Sequence, residues 1–146
     1  MTAQPQILPI RDQNKAIVQL SSVPIAKRIL LVDNQAHVLR VMKSTLDRGG
    51  YDVETASSAE MALTEIRESH FDVVVIDNGL ETLNGQQLIY TIEDQFRDRA
   101  PVMFLLTDHN TDFLQHWCSQ FDRTECLEKP LSISYLDDRI AKLFGT

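Results

Sequence analysis

Two acids, a hydroxyl and an amine close four apolar runs along this chain, and residues of those types could together move a phosphoryl group. Ile29-Leu30-Leu31-Val32 ends on Asp33, Val73-Val74-Val75-Ile76 ends on Asp77, and Val102-Met103-Phe104-Leu105-Leu106 ends on Thr107. Lys129 follows the last short apolar stretch and precedes Pro130. Taken singly, each has a plain explanation: a helix cap, a turn acid, a strand-end hydroxyl, a surface lysine. Gathered at one edge, they suit phosphoryl transfer onto an aspartate. An ionised carboxylate attacks phosphorus and becomes an acyl phosphate. A second carboxylate holds a divalent cation, which offsets repulsion between the nucleophile and the incoming anion. The ammonium and the hydroxyl take up charge on the equatorial oxygens. Without a cation the two carboxylates raise each other's pKa, and Lys129 pulls the other way.

The elements that would position these groups are legible in the hydrophobic pattern. Short β-branched runs such as 73–76 read as strands buried on both faces. Between them, apolar residues recur at helical spacing. Val38, Val41, Met42, Thr45 and Leu46 mark a first helix, stopped by Gly49-Gly50. Tyr51–Thr55 reads as a short strand, and Ser57 with Glu60 as a capping box for a helix carrying Ala59, Ala62, Leu63 and Ile66. The central strand spans 72–76. Asn-Gly pairs at 78–79 and 84–85 signal turns, because both residues tolerate positive φ. Leu88, Ile89, Ile92 and Phe96 mark a third helix, and Leu114, Trp117, Cys118 and Phe121 a fourth. A strand near Glu125–Glu128 precedes a last helix whose Leu136, Ile140 and Leu143 face inward. Five strands alternating with five helices predict an α/β fold: a parallel sheet covered on both faces, with ligands bound at the carboxyl edge of the strands.

Composition narrows the function classes. The 146 residues suit one domain, with an N-terminal extension at 1–27 and the folded unit at 28–146. The extension holds Pro5, Pro9 and Pro24, and reads as a mobile tail or as a short element docked on the domain. Net charge is −7 and no Lys/Arg block stands out, so direct nucleic-acid binding is not expected. No apolar run is long enough to span a membrane, and residues 1–13 lack the basic start and long apolar middle expected of a secretion signal. Cys118 and Cys126 form neither a disulfide framework nor a zinc spacing, which fits a reduced, cytoplasmic setting. His37, His70, His109 and His116 are scattered.

From Arg28 to Phe144 the chain resembles the response-regulator receiver domains of two-component signalling. RILLVDN resembles the first strand and acidic pocket of that family. DVVVIDNGLETLNG resembles the phosphoacceptor strand and loop with its glycine eight residues on, PVMFLLT the strand ending in the switch Ser/Thr, and CLEKP the strand with the pocket lysine. The intervals also match: 44 residues from Asp33 to Asp77, 30 to Thr107 and 22 more to Lys129. The resemblance implies a flavodoxin-like doubly wound (βα)5 fold. It implies Asp77 as phosphoacceptor, Thr107 as sensor of the phosphoryl group and Lys129 as its bridge. Mg2+ would be held by Asp33 through water, by Asn34 and Asp77, and by the main-chain carbonyl of Gly79. Implied partners are a histidine kinase or phosphotransfer protein and a downstream target or separate output domain, reached through the surface of the fourth helix, the fifth strand and the fifth helix. A homodimer is compatible with this. Such a domain is not an enzyme beyond its own phosphotransfer and autodephosphorylation.

Several positions depart from the family. Asn34 stands where most members have a second acid, so Mg2+ would meet one charge fewer. That weakens binding by at least on the order of 1 kcal/mol. Glu81 replaces a loop proline, Asp108 a small residue and Cys126 the aromatic that swings with the hydroxyl; Asp122-Arg123 replaces Gly-Ala. These departures favour the alternative of a phosphorylation-independent pseudo-receiver that serves as a protein-interaction module. A hydrolase of the haloacid-dehalogenase type wants an acid two residues past the nucleophile, where Gly79 stands. A flavodoxin-like cofactor binder needs a phosphate-cradling glycine after the first strand, and residues 34–37 contain none.

Overall fold

A computed structural model describes residues 25–145; the sequence-based readings for residues 1–24 lie outside these residues. Five parallel strands, β1 (Arg28–Val32), β2 (Asp52–Ala56), β3 (Val73–Asp77), β4 (Val102–Thr107) and β5 (Thr124–Glu128), lie in the order β2-β1-β3-β4-β5. They alternate with α1 (Ala36–Arg48), α2 (Ala59–Glu68), α3 (Gly85–Phe96), α4 (Asp112–Ser119) and α5 (Ile133–Leu143). A single 3₁₀ turn at Arg97–Arg99 follows α3. Every residue of β3 is buried, as its unbroken apolar run requires of the middle strand in a two-sided sheet.

The doubly wound arrangement shows in two apolar layers. On one face Leu39, Met42 and Leu46 of α1 and Leu136 and Ile140 of α5 pack on Ile29, Leu31, Val73 and Val75. On the other, α2, α3 and α4 bring Leu63, Leu88, Ile92 and Leu114 against Leu30, Val74, Ile76 and Leu105. The chain order reverses between β1 and β3, and their carboxyl ends bear Asp33 and Asp77. That crevice is the customary ligand position of an open α/β sheet.

Local chemistry sets the helix ends. After α1, Gly50 adopts φ 94°; its N–H donates to Asp47 O and Tyr51 N–H donates to Leu46 O. These bonds form a Schellman motif that a residue with a Cβ would strain. The cap of α2 is Ser58, not Ser57: its hydroxyl accepts the N–H of Met61 at 3.1 Å. The second strand is displaced by one residue from 51–55, with Tyr51 packing on the α1/α5 layer instead of entering the sheet. Neither Asn-Gly pair has the expected positive φ; among the described residues that conformation is found at Gly50, Arg97 and Gly145. Asn84 caps α3, its side chain accepting Gln87 N–H while the Gln87 side chain accepts Asn84 N–H. Val41 and Leu143, expected to face inward, are exposed because they sit on the outer edges of their helical stripes.

One polar brace was not anticipated from the sequence. Asp72, just before β3, accepts the main-chain N–H of Arg28 at 2.8 Å and pairs with His70 Nε2 at 3.0 Å, tying β1 to β3 at their start. Burial alone would push its carboxyl up, but the Arg28 N–H and His70 outweigh it and hold the pKa below the ordinary value near 3.8. A depressed carboxyl adds stability above its unfolded pKa and loses it as pH falls through the folded value. Asp72→Ala is expected to cost about 1 kcal/mol at pH 7. The gap between urea melts of the two chains should shrink as pH falls through the depressed carboxyl value, on the acid side of the ordinary one.

Candidate functional site

The carboxyl edge of the sheet assembles the groups in steps set by strand register. Asp77 pairs with Leu106 across β3 and β4, and the next N–H, that of Asn78, donates to Leu106 O at 2.8 Å. Thr107 pairs with Glu128 across β4 and β5, and Lys129 N–H donates to Thr107 O at 2.7 Å. Asp33 leaves β1 with its N–H on Ala56 O of β2 at 3.1 Å. Two strand-end residues, Asp77 and Thr107, and the first residues past two other strands, Asp33 and Lys129, thus lie at one edge of the sheet. Parallel pairing, rather than proximity in the chain, puts them there.

At the centre, Lys129 Nζ donates to Asp77 Oδ1 at 2.5 Å. The other oxygen, Oδ2, accepts the N–H of Gly79 at 3.0 Å. Asp77 is 7% exposed, so its charge is nearly withdrawn from water and depends on these two donors. Burial of the Lys129 ammonium opposes its charge. The hydrogen bond to Asp77, and the charges of Asp77, Asp108 and Asp33, outweigh that and raise its pKa. For Asp33, burial raises the pKa first, the Gln35 N–H bond at 2.9 Å lowers it, and the Asp77 charge raises it again; the net shift is upward. Asp33, Asp77 and Lys129 therefore act on one another electrostatically, as a single pocket requires.

Thr107 is buried beside them, but its hydroxyl is engaged locally. Thr107 Oγ1 accepts His109 N–H at 3.1 Å and lies 3.4 Å from His109 O. This is the side-chain turn that Ser and Thr favour, and the bonds it makes are to the His109 main chain. His109 thus touches the Thr107 hydroxyl through its main chain. Asp108 reaches Lys129 from the solvent side, with Oδ2 3.8 Å from Nζ.

The loop after Asp77 is held by Asn78, whose side-chain oxygen accepts Gln86 N–H at 3.2 Å. Gly85 lets α3 start against that loop: a Cβ there would lie 2.6 Å from Leu105 Cδ1, 2.8 Å from Asn78 Cα and 3.0 Å from Asp77 O. The sequence marks Gly85 as a turn residue and, by the family resemblance, as the glycine eight residues past Asp77. Its closeness to the Asp77 carbonyl emerges from the packing.

The oxygens at this edge suit a hard cation. Asp33 and Asp77 supply carboxylates, while exposed Asn34 and the Gly79 carbonyl offer neutral oxygens. Among the described residues, no three acidic, His or Cys side chains cluster closely enough to hold a metal by themselves. An ion here would rely on neutral oxygens and retained water, as Mg2+ commonly does.

Comparison with known proteins agrees with this architecture. The family model described as "Response regulator receiver domain" matches residues 29–141. The chain is 28% identical over 114 residues to the alkaline phosphatase synthesis transcriptional regulatory protein PhoP of Bacillus subtilis, covering 78% of this chain and 47% of that one. It is 33% identical over 117 residues to the alginate biosynthesis transcriptional regulatory protein AlgB of Pseudomonas aeruginosa, covering 79% and 25% respectively. The chain spans about half or less of these relatives. The CheY-like receiver domain protein of Methanospirillum hungatei superposes with a TM-score of 0.74 at 24% identity, over 82% of this chain and 94% of that one. The response regulator TrrA of Thermotoga maritima, in complex with Mg(2+)-BeF, gives 0.69 at 26% identity, over 80% and 98%. With the family model matching most of the chain and the same doubly wound sheet beneath it, this chain belongs to the response regulator receiver domain family of two-component systems.

Proposed function

We propose that Asp77 accepts a phosphoryl group from a histidine kinase or phosphotransfer protein. The observation that carries this reading is the buried Asp77 carboxylate, held by Lys129 at 2.5 Å beside a second acid at the topological crevice. An Asp77 oxygen attacks phosphorus in line, the bond to the donor's nitrogen or oxygen breaks, and an aspartyl acyl phosphate results. Lys129 spreads the charge on the transferred oxygens and Thr107 meets one of them after turning from His109. Mg2+, which accompanies the fluoride complex of the Thermotoga relative, would be held by Asp33, Asn34, Asp77 and the Gly79 carbonyl, and would supply charge neutralisation. The signal leaves through α4, β5 and α5, whose exposed Phe113 and Tyr135 offer contact area to a downstream target, a separate output domain or a second copy.

The test is intact mass after incubation with acetyl phosphate and Mg2+. A hydroxylamine-labile phosphoryl gain in the native chain, absent from Asp77→Asn, is the expected outcome. No gain in the native chain would overturn the reading. Asn34 favours one competing reading, a pseudo-receiver acting as an interaction module, which predicts partner binding insensitive to Asp77→Asn.

The neutral Asn34 also gives a prediction of its own. Restoring an acid with Asn34→Asp adds one charge to the cation site, and Mg2+ affinity should rise about tenfold, or roughly 1.4 kcal/mol. Titration calorimetry measures this directly.

A further inference from the structure

We propose that Asp108 is a positioning residue that restrains Lys129 and repels anionic phosphoryl donors, slowing phosphorylation of Asp77; the proposal rests on the phosphoacceptor reading above. Asp108 follows Thr107 on the loop from β4 to α4, with its side chain mostly exposed and Oδ2 3.8 Å from Lys129 Nζ. The same ammonium is the hydrogen-bond donor to Asp77 Oδ1. Lys129 therefore lies between two carboxylates, one buried and one at the mouth. Asp33 lines the same mouth, in a cavity of about 480 Å³ that Asp108 and Lys129 also line. Asp77, Asp108 and Asp33 all act on the Lys129 charge.

The consequence follows from charge alone. In the transfer from acetyl phosphate, an Asp77 oxygen bonds to phosphorus, the phosphorus–oxygen bond to the acetyl group breaks, and acetate leaves with the electron pair. The donor enters as a dianion and needs the Lys129 ammonium. Asp108 opposes that entry twice, by repelling the donor and by competing for the ammonium from 3.8 Å. Because Asp108 is exposed, the effect is modest and screened by salt.

The experiment compares the native chain with Asp108→Asn and Asp108→Glu, in Mg2+ buffer, at low and high ionic strength. Rates of phosphoryl gain are read by intact mass with acetyl phosphate, and with the less negatively charged phosphoramidate. Asp108→Asn should react about threefold to fivefold faster with acetyl phosphate at low salt. That gain should shrink at high salt and be smaller with phosphoramidate, while Asp108→Glu keeps the slow rate. A merely structural role would not produce that dependence on donor charge and salt. Equal rates for the native chain and Asp108→Asn, or a slower variant, would overturn the proposal while leaving Asp77 the phosphoacceptor. Absence of phosphoryl gain in every chain would instead overturn the phosphoacceptor reading, and this proposal with it.

Discussion

Lys129→Ala is expected to reduce phosphoryl transfer to Asp77 by about 10²- to 10³-fold, the usual range for removing one preorganised charge-stabilising donor. Nothing else at this edge can replace it. Among the described residues, Lys129 is the cation that ion-pairs with Asp77, and Thr107 is committed to His109 in the unmodified chain. The substitution also leaves Asp77 with only the Gly79 N–H among its named donors, beside Asp33. Losing a charged hydrogen bond at a partly buried site costs about 1–3 kcal/mol. The pH window is set by the raised Lys129 pKa: a lysine raised above its unfolded value stabilises fully below that value and loses the effect as pH rises through the folded one. The stability difference should therefore be full at neutral pH and fade only on the alkaline side. Denaturant melts at neutral and at strongly alkaline pH would check the stability, and initial rates of phosphoryl gain would check the chemistry. A variant phosphorylated at the native rate would remove Lys129 from the site.

Gly85→Ala has the largest expected effect on folding. Its added methyl would enter space held by Asn78 Cα and Asp77 O, both main-chain atoms, as well as by the Leu105 side chain. Leu105 can change rotamer, but the backbone after β3 is fixed by the Asn78–Leu106 and Asn78–Gln86 hydrogen bonds. Overpacking of this kind costs about 3 kcal/mol, and relief would come from moving the start of α3 or the loop that presents Gly79 N–H to Asp77. Phosphoryl uptake should fall along with stability. Gly79→Ala is a useful contrast, because its new Cβ meets only Asp77 Oδ2, at 3.1 Å. Thermal or urea midpoints of the two variants separate the effects: Gly85→Ala should be much the less stable.

The sheet was legible because burial on two faces leaves a plain mark, four or five apolar residues bounded by polar ones. The four pocket residues were legible for the opposite reason. Asp33, Asp77, Thr107 and Lys129 break that pattern at strand ends, where apolar packing alone gives no reason for them. What escaped was decided by tertiary geometry. Ser57 has the acid three residues on that a capping box wants, yet the path of the chain out of β2 makes Ser58 the cap. Asn84-Gly85 carries a turn signal, yet the second residue serves close packing and the first caps a helix. Val41 and Leu143 fit the helical period but lie beyond the stripe that meets the sheet. The Asp72 bond to Arg28 N–H and the reach of Asp108 to Lys129 join residues too distant in sequence for any local pattern to reveal.

The most direct test of the central claim is chemical trapping of the modified residue. An aspartyl acyl phosphate is reduced by borohydride to homoserine, which survives digestion and can be mapped by tandem mass spectrometry. After reaction with acetyl phosphate and Mg2+, homoserine should be found at position 77 and at no other acid, and should be lost in Lys129→Ala. Homoserine at Asp33 or Asp108, or none in a chain shown to be folded, would contradict the assignment.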